Sequence, residues 1–565
     1  MKFPFLGGAY RGRSLNVDAQ TCINLMLEGD DKTPGGGALV NTPGYSEDSN
    51  NGGAPHTTGI VRGMLWPYPN TNIMVAVVGN RLYTYSGTTW TRVDNLDPGW
   101  GMSSTTGPVS MAYMGLGAGP YGSTNFAVAI ADGTNFNIYQ WVSGQIDAIA
   151  TPANVGNVVF MDGRFIASDL ANTGRFYYSN ILSPLTYTAF SFATVEGSPD
   201  ALTSIFADRR ELYLFGEVTT EVWYDTGDAT DTFQRYQGGF IQVGCAARYS
   251  VARLDNTIIW LATDEKGDVS VALLGPNYTP LTVSTPTMNY LFSQYATVSD
   301  AFAQTYRLGG HECYVLTFPT ADATWVYDAS TKEWHRWSSG SGGRHLMQCM
   351  VARGNNQKPL LALSNVNGKV FNVSADTYTD NGVAVYRERT SHHVEADQKR
   401  IAIADLQLDM EEGVSTTETR TTVLNSPALV AGDASIVTLG SATVGATDTI
   451  AILMDDGRYH LTTVGPASPL NTTTLLLTDA VTGPVAVGNS VVVYLSDTCT
   501  LETSKDGGQT FSTARTLHMG VTVTKALRVL LRRMGWARQW TVRFKTQAPV
   551  KIVIKGLLAR LWGEP

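Results

Sequence analysis

The sequence predicts a mostly β fold: a β-propeller of roughly six blades, then a C-terminal β-domain carrying an inserted small β-barrel. Three observations point there. Charged residues make up only 16% of the 565 residues, while 56 are glycine and 43% are hydrophobic. Short strand–turn–strand units recur every few dozen residues. Convincing helical periodicity is scarce.

The units follow one another in order. Ile73–Val93, "IMVAVVGNRLYTYSGTTWTRV", reads as strand, Gly-Asn turn, strand, Gly turn, strand. Asn125–Ile149 repeats that grammar around Asp132-Gly133, and Val158–Asp169 around another Asp-Gly pair. Both glycines suit turns that need positive φ. Glu211–Asp225, Thr257–Leu274 and Cys313–Trp337 continue the series. The last is similar to the end of a kelch blade, with Tyr327-Asp328 and then Trp334 after a Ser-Thr-Lys turn. The Gly-rich "GLGAGPYG" (Gly115–Gly122) lacks a Lys-Ser/Thr ending and reads as a loop tip, not a phosphate cradle. A pair of β-sandwiches is the alternative arrangement.

Past the blades, "IAIADLQLDMEEG" (Ile401–Gly413) alternates as a strand, with Leu406, Leu408 and Met410 on one face. Its expected partner is the strand opening "TCTLETSKDGGQTFS" near residue 498. Between them lies a Thr/Val/Ala/Gly-rich stretch nearly free of Lys and Arg. The predicted division is 1–54, an extended segment joining the C-terminal domain or the propeller; 55–390, the propeller; 391–413 with 499–565, the split C-terminal β-domain; and 414–498, the inserted barrel.

Bulk properties exclude several classes. No uncharged apolar run approaches the roughly twenty residues of a membrane helix. The opening "MKFPFLGGAYRGRS" has no apolar signal-peptide region before Arg11 and Arg13. Five scattered cysteines (Cys22, Cys245, Cys313, Cys349, Cys499) form no CxxC or Cys/His cluster. They predict reduced, mostly buried thiols in a chain folded in a cytoplasm, and no zinc site. The net charge of −9 is uneven: residues 501–565 carry twelve Lys/Arg against Glu502, Asp506 and Glu564, giving +9 and leaving −18 elsewhere. An acidic body with a basic end results.

The stretch Ser504–Phe511, "SKDGGQTF", fits S-x-D-x-G-x-T-(W/F). It resembles the Asp-box of sialidases, a structural turn lying away from the active site of those enzymes. The residues alone read as a tight hairpin: Ser504 and Thr510 flank it, Asp506 accepts turn amides, Gly507 and Gly508 permit positive φ, and Phe511 plugs it onto a neighbouring sheet. A glycosidase needs a carboxylate pair and, in sialidases, a tyrosine nucleophile with an arginine cluster. Asp208, Arg209, Arg210, Glu211, Glu217, Glu221 and Tyr224 are the candidates, and they read as solvated strand flanks. His392-His393 with Glu395 and Asp397 suggest metal ligands, but adjacent strand residues point to opposite faces. No catalytic, metal or cofactor site is therefore expected. A carbohydrate-binding or sialidase-like propeller enzyme is the alternative function.

A broader likeness carries more of the chain. "SLNVDAQTCINLMLE" (Ser14–Glu28), "LVNTPGY" (Leu39–Tyr45), "RFYYSNILSPLTY" (Arg175–Tyr187), "LYLFGEVTTEVWYDTG" (Leu212–Gly227), "VSTPTMNYLF" (Val283–Phe292), "SKDGGQTFSTARTLHMG" and "RVLLRRMGWARQWTVRFKTQAPVKIVI" follow in order. Together they resemble the packaged-DNA stabilisation proteins, the tail nozzle or hub proteins of short-tailed bacteriophages. The resemblance implies a non-enzymatic virion tail protein made in the host cytoplasm. It implies a homo-hexameric ring below the portal and adaptor proteins that extends and helps close the DNA channel. It implies tail fibre or needle proteins as further partners, double-stranded DNA passing without sequence-specific binding, and no membrane insertion. The acidic body suits a conduit that must not hold phosphates. In the basic end, alternation places Arg528 and Arg532 opposite Leu527, Val529 and Leu531, Arg543 and Lys545 opposite Val542 and Phe544, and Lys551 and Lys555 opposite Ile552 and Ile554. These six cations are the candidate docking surface for a neighbouring subunit or the adaptor.

Overall fold

The computed structural model describes residues 2–13, 18–29, 37–48, 59–67, 73–87, 89–94, 100–118, 124–152, 154–172, 174–188, 191–195, 197–198, 200–228, 232–340, 342–352, 360–364, 368–396, 399–411, 418–423, 428–442, 449–465, 472–494, 498–519 and 529–562. They divide into two units, one of Gly8–Arg13 with Thr42–Val383, the other of Met1–Gly7, Ser14–Asn41 and Ala384–Pro565.

The first unit is a β-propeller. Among the described residues, seven antiparallel sheets follow in sequence, where the hairpins alone suggested roughly six. Their innermost strands are Val61–Leu65, Ser110–Ala118, Val155–Met161, Leu202–Asp208, the pair Gly244–Cys245 and Ala252–Leu254, Phe302–Leu308, and Met347–Ala352. Equivalent links between neighbouring blades recur at 47 or 48 residues, the length of one blade.

Each blade buries both faces, so its middle strands are apolar without alternation. In Met74–Val78, all five side chains are buried. Met74, Ala76 and Val78 pack with Leu361, Leu363 and Val370 of blade 7, whereas Val75 and Val77 pack with Phe126, Val128 and Ile130 of blade 2. Similar cores join blades 2 and 3, 3 and 4, 4 and 5, and 6 and 7. Blades 5 and 6 meet where Ala303 N donates to Tyr249 O (2.8 Å) and Tyr314 OH donates to Ser250 O (2.8 Å). Blade 7 is completed by Gly44–Glu47, which pairs with Val370–Ser374 and closes the ring.

Two-residue turns join the inner strand to the second strand in blades 3, 4 and 6. Asp162-Gly163 (φ 46° and 81°), Arg209-Arg210 (49° and 67°) and Gly309-Gly310 (62° and 91°) are left-handed at both positions. Such turns match the twist of the strands they join. Of the predicted loop tip, Gly115–Ala118 instead ends the strand Ser110–Ala118, and residues 119–122 lie outside the described residues.

In the second unit, one sheet runs Leu25–Glu28, Ala38–Asn41, Val553–Leu561, Ile401–Met410, Val529–Ala537, with Lys2–Phe3 also on Val553–Leu561. Another runs Ala19–Ile23, Arg387–Thr390, Gln539–Thr546, Thr498–Ser504, Arg515–His518. The expected pairing of Ile401–Met410 with the strand at residue 498 is therefore wrong. Ile401–Met410 has charged or polar residues only on its outer face, and two nine-residue strands further along the chain flank it instead. The first 54 residues divide between the units, since Ala19–Ile23 and Ala38–Asn41 belong here while Gly44–Glu47 belongs to blade 7.

Strands between 418 and 494 pair among themselves, as in Glu418–Thr422 with Ser490–Tyr494 and Ser435–Ala442 with Thr472–Leu476. They share a core of their own that includes Val423, Ile436, Ile450, Ile452, Leu475 and Val491.

Candidate functional site

The strand Thr498–Ser504 delivers its last residue into the "SKDGGQTF" turn. Ser504 Oγ donates to Asp506 Oδ1 (2.6 Å) and accepts from Gly508 N (2.8 Å). Asp506 Oδ1 accepts from the amides of Gln509 (3.1 Å) and Thr510 (3.0 Å). Burial alone would raise the Asp506 pKa, but hydrogen bonds from Ser504, Thr510 and Gln509 outweigh it and bring it down to about 2. Gly508 has φ +92°, and a Cβ there would sit 2.7 Å from Ala19 Cβ. The turn thus holds itself together. The Phe511 ring carries the Arg543 guanidinium 3.7 Å above its centre.

The five described cations are spread over two sheets and a loop. Arg528 lies outside the described residues, as does Leu527. Arg543 and Lys545 lie in one sheet and both close on Glu502: Arg543 Nε at 2.6 Å from Oε2, Lys545 Nζ at 3.1 Å from Oε1. Burial opposes the Glu502 charge, yet the bonds from Arg543 and Lys545 win and lower its pKa. Arg532 and Lys555 belong to the other sheet, both exposed, Arg532 standing opposite Asp405 in register. Lys551 pairs with Glu411 (3.2 Å) at a half-exposed position.

The glycosidase candidates are dispersed into structural roles. Arg209 and Arg210 form a turn and do not open a strand. Arg210 reaches Asp162 (3.0 Å), and Asp208 pairs with Arg253 (3.3 Å). Glu211 accepts from Tyr213 (2.5 Å) and Tyr278 (2.6 Å), and Glu221 accepts from Trp223 Nε1 (2.8 Å) and Gly197 N (2.7 Å). Tyr224 OH donates to Gln234 (3.3 Å), and Glu217 borders a groove between blades 4 and 5. The rings of His392 and His393 meet edge-to-face at 4.5 Å, Glu395 pairs with Gln539 (3.2 Å), and Asp397 lies outside the described residues.

Sequence reasoning missed the propeller axis. All seven innermost strands or their leads line a cavity of about 330 Å³ there. Polar residues enter it at successive blade steps: Arg62, Ser110, Asn157, Ser204, Gln304 and Gln348. That recurrence of a polar residue within the first three positions of an inner strand was the available signal. Arg62 is buried and fully engaged, donating to Gly107 O (2.7 Å), Ser104 O (2.8 Å) and Ser104 Oγ (3.0 Å). Burial lowers its pKa, with Asp132, 3.9 Å away, opposing. Ser110 and Ser204 bond across to the next blade, at Val158 and at Arg248 O (2.8 Å).

A closed ring of four-stranded antiparallel blades around a narrow axis defines the class: a β-propeller protein. The family model described as Bacteriophage P22 Gp10, beta-propeller, matches residues 1–352, and the chain belongs to that family. It is a bacteriophage structural protein and a virion component. The comparison with curated proteins gave no match. Among solved structures it is similar to the extracellular domain of a hybrid two-component system from B. thetaiotaomicron (9% identity, TM-score 0.37), covering 78% of this chain and 47% of that one. The chain thus spans about half of that structure. YCF48 from Cyanidioschyzon merolae (10%, TM-score 0.37) is covered over 97% of its length and 57% of this chain. Hsv2 from Kluyvelomyces marxianus (10%, TM-score 0.27) is covered over 83%, and 49% of this chain. At these scores the likenesses carry no functional argument.

Proposed function

We propose that this chain is a subunit of the tail nozzle or hub, a ring of six copies below the portal and adaptor proteins. In this reading the ring extends the DNA channel, helps to retain packaged DNA and carries fibre or needle proteins. The observation that carries it is family membership over residues 1–352. The axis of the propeller supports a ring of several copies. A cavity of about 330 Å³ is far too small for B-form DNA, whose major groove alone is about 12 Å wide. A DNA path therefore has to run between copies. Excess acid outside residues 501–565 would keep such a path from gripping phosphates. The role needs no chemistry from this chain, and the carboxylates that a glycosidase would use are bonded to turn amides, tyrosines and arginines.

The test is to package DNA into particles assembled with and without this chain. Particles lacking it should fill and then lose their DNA, and the chain should appear six-fold below the portal in reconstructions of complete tails. Stable retention of DNA without it, or a stoichiometry other than six, refutes the reading.

A further inference from the structure

We propose that the outer face of the sheet around Ile401–Met410 is the surface through which one copy of this chain docks on the next. The inference rests on the ring of copies proposed above and names its contact: a face of exposed tryptophan and arginine, met by acid on a second copy.

The face is built in three cross-strand rows. Ile401–Met410 lies between Val529–Ala537 and Val553–Leu561. Its buried side chains are Ile401, Ile403, Leu406, Leu408 and Met410, which leaves Ala402, Asp405 and Gln407 on the outward side. Trp536 pairs with Ala402 on one flank, and Trp562 N donates to Ala402 O (3.0 Å) on the other. Arg532 and Arg560 flank Asp405 in the same way, and Leu530 and Leu558 flank Gln407. The arginine and leucine rows border a cleft of about 480 Å³.

Exposure asks for a partner. Trp536 is 55% exposed, Trp562 66% and Leu558 39%. Scattered apolar residues need no account, but these three stand on one face. Tryptophan and arginine are the residues that interface cores collect. The backbone is an independent sign. Both ladders slip between Ile403 and Asp405, and Arg533 is left-handed there, with φ 61°. A bulge re-aims side chains, and here Arg532 is turned outward while Leu531 and Met534 stay buried.

Charge names the occupant. Arg560 pairs with Asp405, and the Arg400 guanidinium lies 3.9 Å over the Trp536 ring. Among the described residues no carboxylate pairs with Arg532 or Lys555, both exposed. The face therefore carries unmatched positive charge. The chain outside residues 501–565 carries −18, so a second copy brings the acid. Asp405, set between the two arginines, would repel a phosphate, which argues against a nucleic-acid strand. A contact between two unlike surfaces is the kind that generates rings. Three strands of nine or ten residues present about 450 Å². A standard interface takes about 800 Å² per partner, so free copies should join weakly and stay joined only where the ring closes.

The experiment replaces Trp562 by the photoreactive residue p-benzoylphenylalanine and irradiates complete tails. Covalent pairs and longer ladders of this chain are expected. In free protein, sedimentation at rising concentration should show weak self-association. Arg532→Glu, and Trp536→Ala combined with Trp562→Ala, should each weaken it about tenfold or more, and added salt should weaken it too. Arg307→Gln, at an exposed position on the propeller, should leave it unchanged. Melting curves check that each variant is folded. Cross-links to another tail protein or to DNA, or none in tails that hold six copies, overturn this contact and leave the ring standing. Self-association that survives both sets of substitutions overturns it as well. Tails without six copies overturn the ring itself, and this contact with it.

Discussion

Arg543 is held on two sides, its Nε 2.6 Å from Glu502 Oε2 and its guanidinium 3.7 Å above the Phe511 ring. Residues that spacing presents as a cationic surface are here internal ties between neighbouring strands. Glu502 sits opposite Arg543 in the ladder, and the ring that follows the Asp506 turn caps the pair.

Arg543→Glu should therefore fail as a folding variant before any assembly defect is seen. It places a second carboxylate beside Glu502, whose side chain is only 10% exposed. A cost of about 1.5–3 kcal/mol is expected from the lost charged hydrogen bonds, read as a shifted urea midpoint. Because the Glu502 pKa is lowered on folding, its contribution is present above the ordinary carboxylate range and fades as pH falls below it. An unchanged midpoint at neutral pH would contradict the structural role. Docking is better tested with Arg532→Glu and Lys555→Glu, both exposed. Assembly rates that match wild type at low salt would rule out docking through them.

Asp506→Ala should destabilise the second unit by about 1–2 kcal/mol through lost turn hydrogen bonds. With a folded pKa of about 2 against an ordinary value of 3.8, its stabilisation is complete above pH 3.8 and disappears between there and pH 2. Acid titration of wild type and variant should converge below that window. A constant gap between the two curves excludes this origin.

Replacing Arg209-Arg210 by Asn-Gly should stabilise the propeller. Left-handed backbone costs a non-glycine residue about 1–2 kcal/mol, whereas the exposed Arg210–Asp162 pair contributes about 0.2–1 kcal/mol. A net gain of about 1 kcal/mol follows from these principles. A lower melting temperature would mean that the inter-blade ion pairs outweigh the backbone.

Much of the propeller was legible because its hairpins announce themselves. Asp132-Gly133 and Asp162-Gly163 are turn chemistry in plain sequence. Arg209-Arg210 was not, since arginine rarely adopts positive φ and the tertiary ties to Asp162 and Asn256 that hold it are 47 or 48 residues distant. Gly44–Glu47 is too short to read as a blade strand by itself. The partners of Ile401–Met410 were misassigned because nearness along the chain stood in for nearness in the sheet. Glu502 escaped notice as a site residue for a similar reason, its partners being 41 and 43 residues away.

Deleting 418–494 should leave both remaining sheets of the second unit intact, because the excised strands pair with one another and share a separate core. The junction cannot be a tight turn, since Ile401–Met410 and Thr498–Ser504 lie in different sheets. A flexible linker of about ten Gly/Ser residues, with an expected root-mean-square span of about 16–19 Å, is the sensible replacement. Unchanged propeller melting is expected. Loss of the propeller transition would make the segment part of a common core.

The four shifted thiols should be inert. Burial pushes Cys245 up to about 11 and Cys313, Cys349 and Cys499 to about 12. A disulfide reagent at pH 8 should leave them unmodified in native protein and reach them in denaturant. Cys349 is only partly buried and lines the axial cavity, so rapid native labelling at Cys245, Cys313 or Cys499 is the outcome that contradicts that burial.

Gly44–Glu47 has one more consequence, for the order of events on the ribosome. Glu47 meets Lys369 across 322 residues of chain (2.8 Å), so the first strand of the circle to be translated is among the last to find its place. The growing polypeptide must carry an unpaired edge through the making of six blades, and the clasp fastens only once Val370–Ser374 has emerged. Closure over so long a loop makes the final step slow compared with each local hairpin. A stalled or truncated chain ending before residue 370 would be an open, sticky arc. Only synthesis past residue 374 lets the circle seal.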